Sequence, residues 1–405
     1  MSRMDARASL VVVFAGICAA LHVAKLPPAL PVLQQALGLD LVQAGFLLSA
    51  VQVAGMCLGL LAGLGADSLG LRRSMIVGLW LVSLASAGGA VASSVTAMLV
   101  LRALEGLGFL LAVTPAPAVI RRTVDAAHLQ SRMGLWGAYM PAGSALALLL
   151  GPLVVAWTGW QFWWWCLAGV TALAALAVWR WVPVLAPTAA DPSQRALAGV
   201  GHRIGLTLRS PGPWLVALSF AVYSSQWLAV IGFLPTVYNA LGLGVALTGV
   251  LTATVALVNV TGNVLSGRLL QRGWPTRTLL HIGFACMALG AFGAFFQWGD
   301  WALPMPLRFL SVLLFSSLGG LIPGTLFSTA VRLAPGESTV STTVGYMQQW
   351  SSLGQFAGPP VVAAVASWVG GWQWTWAVTG SLCVMGALLA WRIERALQTV
   401  RAGGV

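Results

Sequence analysis

A short sequence pattern occurs twice in this chain, 204 positions apart (234 − 30). Leu30-Pro31 returns as Leu234-Pro235, and the Ala-Leu-Gly-Leu run at 36–39 returns at 240–243. A related echo, Gly-Trp-Gln, begins at Gly159 and again at Gly371. An internal repeat decides the architecture of a chain before any local pattern does. A repeat of about half the chain length favours two related helical bundles in a strongly apolar protein.

The composition shows that this chain is strongly apolar. It is 59% hydrophobic and 7% charged, with a mean hydropathy of +0.88. Soluble domains carry roughly 25% charged residues, so an aqueous surface cannot be built from this chain. We therefore expect an all-α protein that crosses the lipid bilayer many times.

Apolar segments long enough to span a bilayer occur in two groups of six. A spanning helix needs about 20 mainly apolar residues. The predicted domains are an amino-terminal six-helix bundle (1–182), a cytoplasmic linker (183–212) and a carboxy-terminal six-helix bundle (213–405). The predicted spans are 9–36, 42–66, 74–95, 97–120, 131–157, 161–182, 213–239, 247–271, 277–297, 303–330, 340–368 and 373–393.

Basic residues mark one side of the membrane. Of the 21 Lys and Arg residues, all except Lys25, Arg102 and Arg308 lie at alternate helix connections or at the termini. Cytoplasmic loops carry the excess of Lys and Arg, so both termini are predicted to be cytoplasmic, in a bacterial-type inner membrane. The net charge of +12 needs no nucleic-acid partner on this interpretation.

The loop after the second predicted helix carries a distinctive pattern, Gly-Leu-Gly-Ala-Asp-Ser-Leu-Gly-Leu-Arg-Arg at 63–73. It resembles the signature loop of the major facilitator superfamily, although Leu71 displaces the arginine pair by one position. A charge-assisted contact that forms in one conformation and breaks in another can act as a gate. The predicted gating residues are Gly63, Asp67, Gly70, Arg72 and Arg73.

Further elements extend this resemblance over nearly the whole chain. Residues 102–108 (Arg-Ala-Leu-Glu-Gly-Leu-Gly) resemble the family's R-x-x-x-G-x-G element. Gly143 with Gly151-Pro152 resembles an element of its proton-coupled exporters, with Val154-Val155 where glycines are usual. The resemblance implies twelve helices, alternating access around a central site, and a monomer that moves a small-molecule solute. It names no substrate.

The segment His22-Val23-Ala24-Lys25-Leu26-Pro27-Pro28 places a basic residue just before prolines in the first helix. This segment looks like the cyanate and nitrate-type anion porters of the same superfamily. The similarity favours anions among the possible substrates and implies nothing further.

Four charged residues stand out because they lie within predicted spans and away from the cytoplasmic ends: Lys25, Arg102, Glu105 and Arg308. Charges inside a bilayer are costly, so each is a candidate for substrate binding or proton coupling. In the superfamily fold the first, fourth, seventh and tenth helices line the cavity, and all four residues lie on helices of this set. One alternative is that the arginines extend to the outer surface. Another is that Glu105 is a structural ion-pair partner and no proton carrier.

Uncharged polar residues extend the candidate site. Such groups are hydrogen-bonded between helices within a membrane, which is the alternative to substrate contact for each of them. They are Gln52, Tyr139, Tyr223, Gln226, Asn259 and Gln348.

These features predict a secondary transporter for a small anion, coupled to protons. The alternatives are a proton-driven exporter of drugs, metabolites or siderophores, and a membrane sensor that transports nothing. No nucleotide-binding loop or catalytic constellation is apparent, so we expect neither an enzyme nor a bound cofactor or metal. At the 204-residue offset, Lys25 corresponds to Ala229 and Glu105 to Phe309, which places the predicted coupling chemistry in the amino-terminal half.

Overall fold

The computed structural model describes residues 3–60, 70–125, 132, 135–137, 139–184, 193–299, 301–336 and 339–402. The chain forms two compact units. The first comprises Met1–Ala189 with Ile231–Leu257, and the second comprises Ala190–Val230 with Val258–Val405. The domain limits given above (1–182, 183–212 and 213–405) stay a prediction.

Long apolar helices dominate both units, and within the described ranges eleven are long and apolar enough to cross a membrane. A twelfth helix, Val340–Val369, has the necessary length, but glutamines and serines lower its hydropathy. The prediction of an all-α membrane fold with twelve spanning helices is confirmed. The eleven helices are Arg7–Leu37, Leu41–Leu58, Leu71–Ala90, Val95–Thr123, Leu135–Thr158, Trp160–Trp181, Pro211–Ala240, Val245–Gln271, Thr276–Phe295, Met305–Leu333 and Thr375–Thr399.

Prolines divide two spans of the first unit into shorter helices. The first span divides at Lys25, because Pro27 and Pro28 follow it and can donate no backbone hydrogen bonds. The fourth span divides at Thr114-Pro115 for the same reason. The helices are α1 (Arg3–Ala24), α2 (Leu26–Leu37), α3 (Leu41–Ser49), a 3-10 turn (Ala50–Gln52), α4 (Val53–Leu58), α5 (Leu71–Ala90), α6 (Val95–Val113), α7 (Ala116–Thr123), α8 (Tyr139–Thr158) and α9 (Trp160–Trp181).

The remaining helices run from the linker to the carboxyl end. A 17-residue helix occupies most of the predicted linker. A hairpin of two strands, each two residues long, joins the spans Thr276–Phe295 and Met305–Leu333. The elements are α10 (Ser193–Arg209), α11 (Pro211–Ala240), α12 (Val245–Gln271), α13 (Thr276–Phe295), β1 (Gln297–Trp298), β2 (Trp301–Ala302), α14 (Met305–Gly319), α15 (Leu321–Leu333), α16 (Val340–Val369) and α17 (Thr375–Ala402).

The core of the first unit lies where α1, α5, α7 and α9 meet. Val12, Leu79, Val119 and Ala174 are fully buried there. Large apolar side chains on the outer helix faces, by contrast, are about two-thirds exposed, among them Leu84 and Leu173. A water-soluble protein would hide such a surface, so these faces suit contact with lipid tails.

Glycine brings α5 and α6 into direct backbone contact. A methyl group added at Gly78 would strike the carbonyl of Gly108, and one added at Gly108 would strike the carbonyl of Gly78. Small residues allow membrane helices to approach this closely, where dispersion and weak polar contacts stabilise them. This contact holds the helix that carries Arg102 and Glu105 rigidly against its neighbour.

Candidate functional site

The interruption between α1 and α2 places Lys25 inside the first unit. The side chain of Lys25 is fully buried, although a long lysine side chain usually keeps its charged end in water. Two carbonyl groups beside the break accept side-chain hydrogen bonds. Nη1 of Arg102 donates to the carbonyl of His22 at 2.6 Å, and Nε1 of Trp163 donates to the carbonyl of Lys25 at 3.1 Å. The break is thereby fixed by side chains of α6 and α9.

Glu105 joins the two buried cations. Its Oε1 lies 2.5 Å from Nζ of Lys25, and its Oε2 lies 2.6 Å from Nη1 of Arg102. Arg102 and Glu105 are three residues apart on α6, so they share one helix face. The exposed fraction of Glu105 is 1%, and that of either cation is 0%. The carboxylate of Glu105 therefore connects α6 to the break between α1 and α2, out of contact with water.

Neutral groups complete the cluster. Nζ of Lys25 donates a hydrogen bond to Oγ of Ser86 at 2.8 Å. It also lies 4.4 Å from the ring centre of Trp164, close enough for a cation–π contact. His22 Nδ1 is 3.4 Å from Nζ of Lys25, and His22 Nε2 is 2.8 Å from Oγ1 of Thr171. The polar cluster defined by His22, Lys25, Ser86, Arg102, Glu105 and Thr171 thus draws on four helices of the first unit.

The charges of this polar cluster do not cancel. Lys25 and Arg102 each contribute one positive charge and Glu105 one negative charge, which leaves a formal charge of +1. Nε and Nη2 of Arg102 are buried with no hydrogen-bond partner among the described residues. Replacing a buried ion pair by apolar residues is often neutral or stabilising, so fold stability alone is a poor reason for such a cluster. An ionisable group within a membrane is more often functional.

Arg308, the fourth predicted ionisable residue, belongs to the second unit. Its Nε donates to the carbonyl of Ala294 at 2.7 Å, near the end of α13. The structure therefore groups Lys25, Arg102 and Glu105 in one polar cluster and gives Arg308 a separate role at the junction of α13 and α14.

The uncharged candidates of the second unit are engaged between helices. Nδ2 of Asn259 donates to Oη of Tyr223 at 3.0 Å and to the carbonyl of Ser316 at 2.8 Å, which ties α12 to α11 and α14. Gln226 is fully buried, and its Oε1 lies 3.2 Å from Sγ of Cys383 on α17. These contacts match the alternative of hydrogen bonding between helices.

The other uncharged candidates are dispersed. Gln52 is buried in the 3-10 turn after α3, and Gln348 is exposed on α16. Tyr139 stacks on Trp136 with ring centres 4.2 Å apart. The described structure does not bring these three side chains into the polar cluster.

The predicted gate is described only in part, because Gly63 and Asp67 lie outside the described residues. Gly70 precedes α5 with φ of +83°, a conformation that favours glycine. Nη2 of Arg72 donates to the carbonyl of Trp179 at the end of α9, and Arg73 is exposed. Arg72 thus fixes the start of α5 to α9, the two helices that supply Ser86 and Thr171.

Sequence reasoning missed Ser86 and Thr171. Isolated hydroxyl groups in apolar helices are usually bonded to their own helix, so they carry no pattern. His22 had a signal, because it lies three residues before Lys25 and shares its helix face.

The many apolar helices of spanning length define an integral membrane protein. Residues 12–359 match the model of the Major Facilitator Superfamily, so the chain belongs to that family of membrane transporters, which are not enzymes. The family carries small-molecule solutes across membranes by way of many apolar helices.

Relatives of known role agree with this class. The chain is 27% identical to a 2-nitroimidazole transporter of Escherichia coli (strain K12), over 85% of this chain and 84% of that protein. It is also 27% identical to a chloramphenicol resistance protein of Pseudomonas aeruginosa, over 76% of this chain and 70% of that protein.

Solved structures show the same fold. A bacterial homologue of the human lysosomal transporter Spinster, in an inward-facing and unoccupied conformation, matches with a TM-score of 0.81. The match covers 99% of each chain at 15% identity. A D-xylose–proton symporter matches with a TM-score of 0.78 at 18% identity, over 96% of this chain and 97% of that one.

Proposed function

We propose that this chain is a proton-coupled secondary transporter of a small anion, with Lys25 and Arg102 as its anion-binding groups and Glu105 as its proton carrier. The observation that carries the proposal is the buried +1 charge of the polar cluster, in which two nitrogens of Arg102 have no hydrogen-bond partner among the described residues. A net positive charge at low dielectric attracts an anion strongly.

Protonation of Glu105 connects the two ligands. The neutral carboxyl group attracts Lys25 and Arg102 less, so both cations become available to an anionic solute. One proton and one monovalent anion together leave the charge of the polar cluster at +1. The cycle is therefore an electroneutral symport of one proton with one anion. All three side chains are buried in this structure, so solute entry requires the surrounding helices to separate.

The orientation and assembly proposed here follow from the sequence. Both termini are cytoplasmic because the basic residues outside the spans cluster at one set of helix ends. The transporter acts as a monomer, and Asp67 with Arg72 and Arg73 gates its cytoplasmic side. Arg308 and the inter-helix bonds of Asn259 maintain the second bundle.

The test uses proteoliposomes with a neutral interior and an acidic exterior. We expect accumulation of small organic anions. Lys25→Met removes one charge-assisted contact, of about 1.5–3 kcal/mol, and weakens solute affinity by about 10- to 100-fold. Arg272→Gln, which removes an exposed charge at the end of α12, serves as the control. Equal accumulation by Lys25→Met and the parent would contradict the proposal.

A proton-driven drug exporter is the second candidate, favoured by the similarity to a chloramphenicol resistance protein. Gly143 packs against the carbonyl of Ile17, and Gly151 packs against Pro28, so the glycine-rich helix α8 lies directly beside the break at Lys25. An exporter would extrude chloramphenicol from liposomes as protons enter. Chloramphenicol efflux without anion uptake would replace the first candidate with this one.

A further inference from the structure

A positively charged groove lies in the second unit. It runs between the first turn of α11 and the final third of α17 and has a volume of about 680 Å³. Two arginines give it a formal charge of +2, and apolar side chains form most of its remaining wall. Its lining residues are Pro211, Trp214, Leu215, Trp391, Arg392 and Arg395.

The basic side of this groove is ordered by stacking. The guanidinium carbon of Arg395 lies 3.4 Å from the ring centre of Trp391, four residues earlier on the same helix face. Stacking occupies the flat face of a guanidinium group and leaves its N–H edge available for hydrogen bonds. Arg392 lies three residues before Arg395, and both arginines are exposed. The N–H donors of two guanidinium groups thus lie along one face of α17.

The opposite wall of the groove is also fixed. Nε1 of Trp214 donates to the carbonyl of Leu208 at 2.8 Å. The Trp214 ring packs edge-on against Tyr346 and Trp350, with ring centres 5.2 and 5.4 Å away. An immobile aromatic wall opposite a stacked arginine forms a cleft whose shape exists before any ligand binds.

The depth of the groove relative to the membrane determines which ligands can reach it. α11 begins at the groove, and α17 ends seven residues after Arg395 (402 − 395). Both are spanning helices, so the groove lies at the level where lipid headgroups meet water. Tryptophan is enriched at that level, which fits Trp214 and Trp391. Basic pockets between spanning helices bind phosphate headgroups of anionic lipids.

We propose that this groove binds the headgroup of an anionic phospholipid. The N–H edges of Arg392 and Arg395 receive the phosphate oxygens, for which the planar fork of arginine is well matched. Trp214, Leu215 and Trp391 contact the glycerol and the upper acyl chain. A soluble anion would engage the arginines but would leave this apolar wall unused, so a lipid fits the groove better.

The experiment measures lipid retention by the purified full-length protein. Delipidated protein in neutral detergent is titrated with dioleoyl phosphatidylglycerol or dioleoyl phosphatidylcholine, and bound lipid is counted by native mass spectrometry. We expect phosphatidylglycerol to bind at least tenfold more tightly than phosphatidylcholine, because about 1 kcal/mol per arginine separates them. Equal binding of the two lipids would overturn the proposal.

Variants locate the bound lipid. Arg395→Gln weakens phosphatidylglycerol binding about fivefold, and Arg392→Gln with Arg395→Gln about 30-fold. The matched control, Arg272→Gln, removes an exposed arginine outside the groove and leaves the affinity unchanged. Equal losses in control and groove variants would show general charge attraction and would overturn the site. Circular dichroism of each variant verifies that the fold is intact.

Two further measurements separate a lipid site from a site for a free anion. Trp391→Ala keeps both arginines but removes the stacking partner and part of the apolar wall, so lipid binding falls by a larger factor than binding of inorganic phosphate does. Inorganic phosphate at millimolar concentration should displace little phosphatidylglycerol. Complete displacement by phosphate, together with normal lipid binding by Trp391→Ala, would overturn the lipid assignment in favour of a soluble anion.

Discussion

Lys25 and Glu105 are 80 positions apart in the sequence, and their charged atoms lie 2.5 Å apart in the interior of the first unit. Each group is fully or almost fully removed from solvent. The desolvation of two charges is compensated only when their geometry is good and their other hydrogen-bonding positions are filled. Ser86 and Arg102 fill those positions for Lys25 and Glu105 respectively, so the three contacts act as one unit.

The first prediction concerns the stability of this unit. Glu105→Gln leaves two buried cations without their carboxylate, and we expect a loss of about 3–5 kcal/mol in the free energy of unfolding. Adding Lys25→Met should recover part of the loss, because one uncompensated charge then disappears. Denaturant unfolding of the single and double variants in detergent measures both values. A double variant no more stable than Glu105→Gln alone would show that the two side chains are not coupled.

The second prediction separates proton coupling from solute binding. Glu105→Gln mimics the protonated carboxyl group, so the cations stay available to an anion while no proton can be released. Exchange of labelled for unlabelled solute should continue in liposomes, whereas accumulation driven by a pH gradient should fall by about tenfold or more, the equivalent of ~1.4 kcal/mol. If gradient-driven accumulation persists at the parental level, Glu105 is a structural partner and carries no proton.

The sequence predicted the fold better than it predicted the site. Spans of about 20 apolar residues and the half-chain repeat led to twelve helices, since lipid requires every backbone group to bond within its own helix. The spacing of Arg102 and Glu105 placed them on one face of a helix. Periodicity within one helix, however, says nothing about which neighbouring helix lies opposite, so the hydroxyl groups of Ser86 and Thr171 were not predicted.

The division of the first span into two helices is a second feature that the sequence pattern did not predict. The hydropathy of the sequence predicts one continuous span over 9–36, although Pro27 and Pro28 favour an interruption. The structure breaks the helix at Lys25 and leaves two helices, α1 and α2. The resulting contacts of Arg102 and Trp163 with the backbone depend on tertiary packing, which local patterns do not encode.

The third prediction concerns close helix packing near the polar cluster. A methyl group at Gly106 would strike the backbone carbonyl of Val51, so Gly106→Ala should destabilise the protein by about 1–3 kcal/mol. Gly169→Ala on α9 is the matched control, because no atom lies within 4 Å of the added methyl group. Thermal unfolding should show a lower midpoint for Gly106→Ala only. Equal midpoints in the two variants would contradict the close approach of α6 to the 3-10 turn.

The fourth prediction concerns the proposed gate. Asp67→Asn keeps the size of the side chain and removes its charge, so a charge-assisted contact to a nearby arginine would weaken by about 1.5–3 kcal/mol. We expect slower transport with unchanged solute affinity, because Asp67 is predicted to lie in a cytoplasmic loop, whereas Lys25 and Glu105 lie within the spans. Transport rates and equilibrium binding are measured on the same preparation. Equal transport rates in variant and parent would exclude Asp67 from the gate.

The fifth prediction concerns the hydrogen bonds of Asn259. Its amide nitrogen connects Tyr223 and the carbonyl of Ser316, so Asn259→Leu removes two contacts between helices, whereas Tyr223→Phe removes one. Such bonds within membranes contribute about 0.6 kcal/mol each on average. Asn259→Leu also removes the bond that Nδ2 of Asn263 donates to Oδ1 of Asn259. The loss in unfolding free energy should therefore be at least twice as large for Asn259→Leu, and transport by Tyr223→Phe should stay near the parental rate. A large increase in KM for Tyr223→Phe with unchanged stability would instead place this hydroxyl group in contact with the solute.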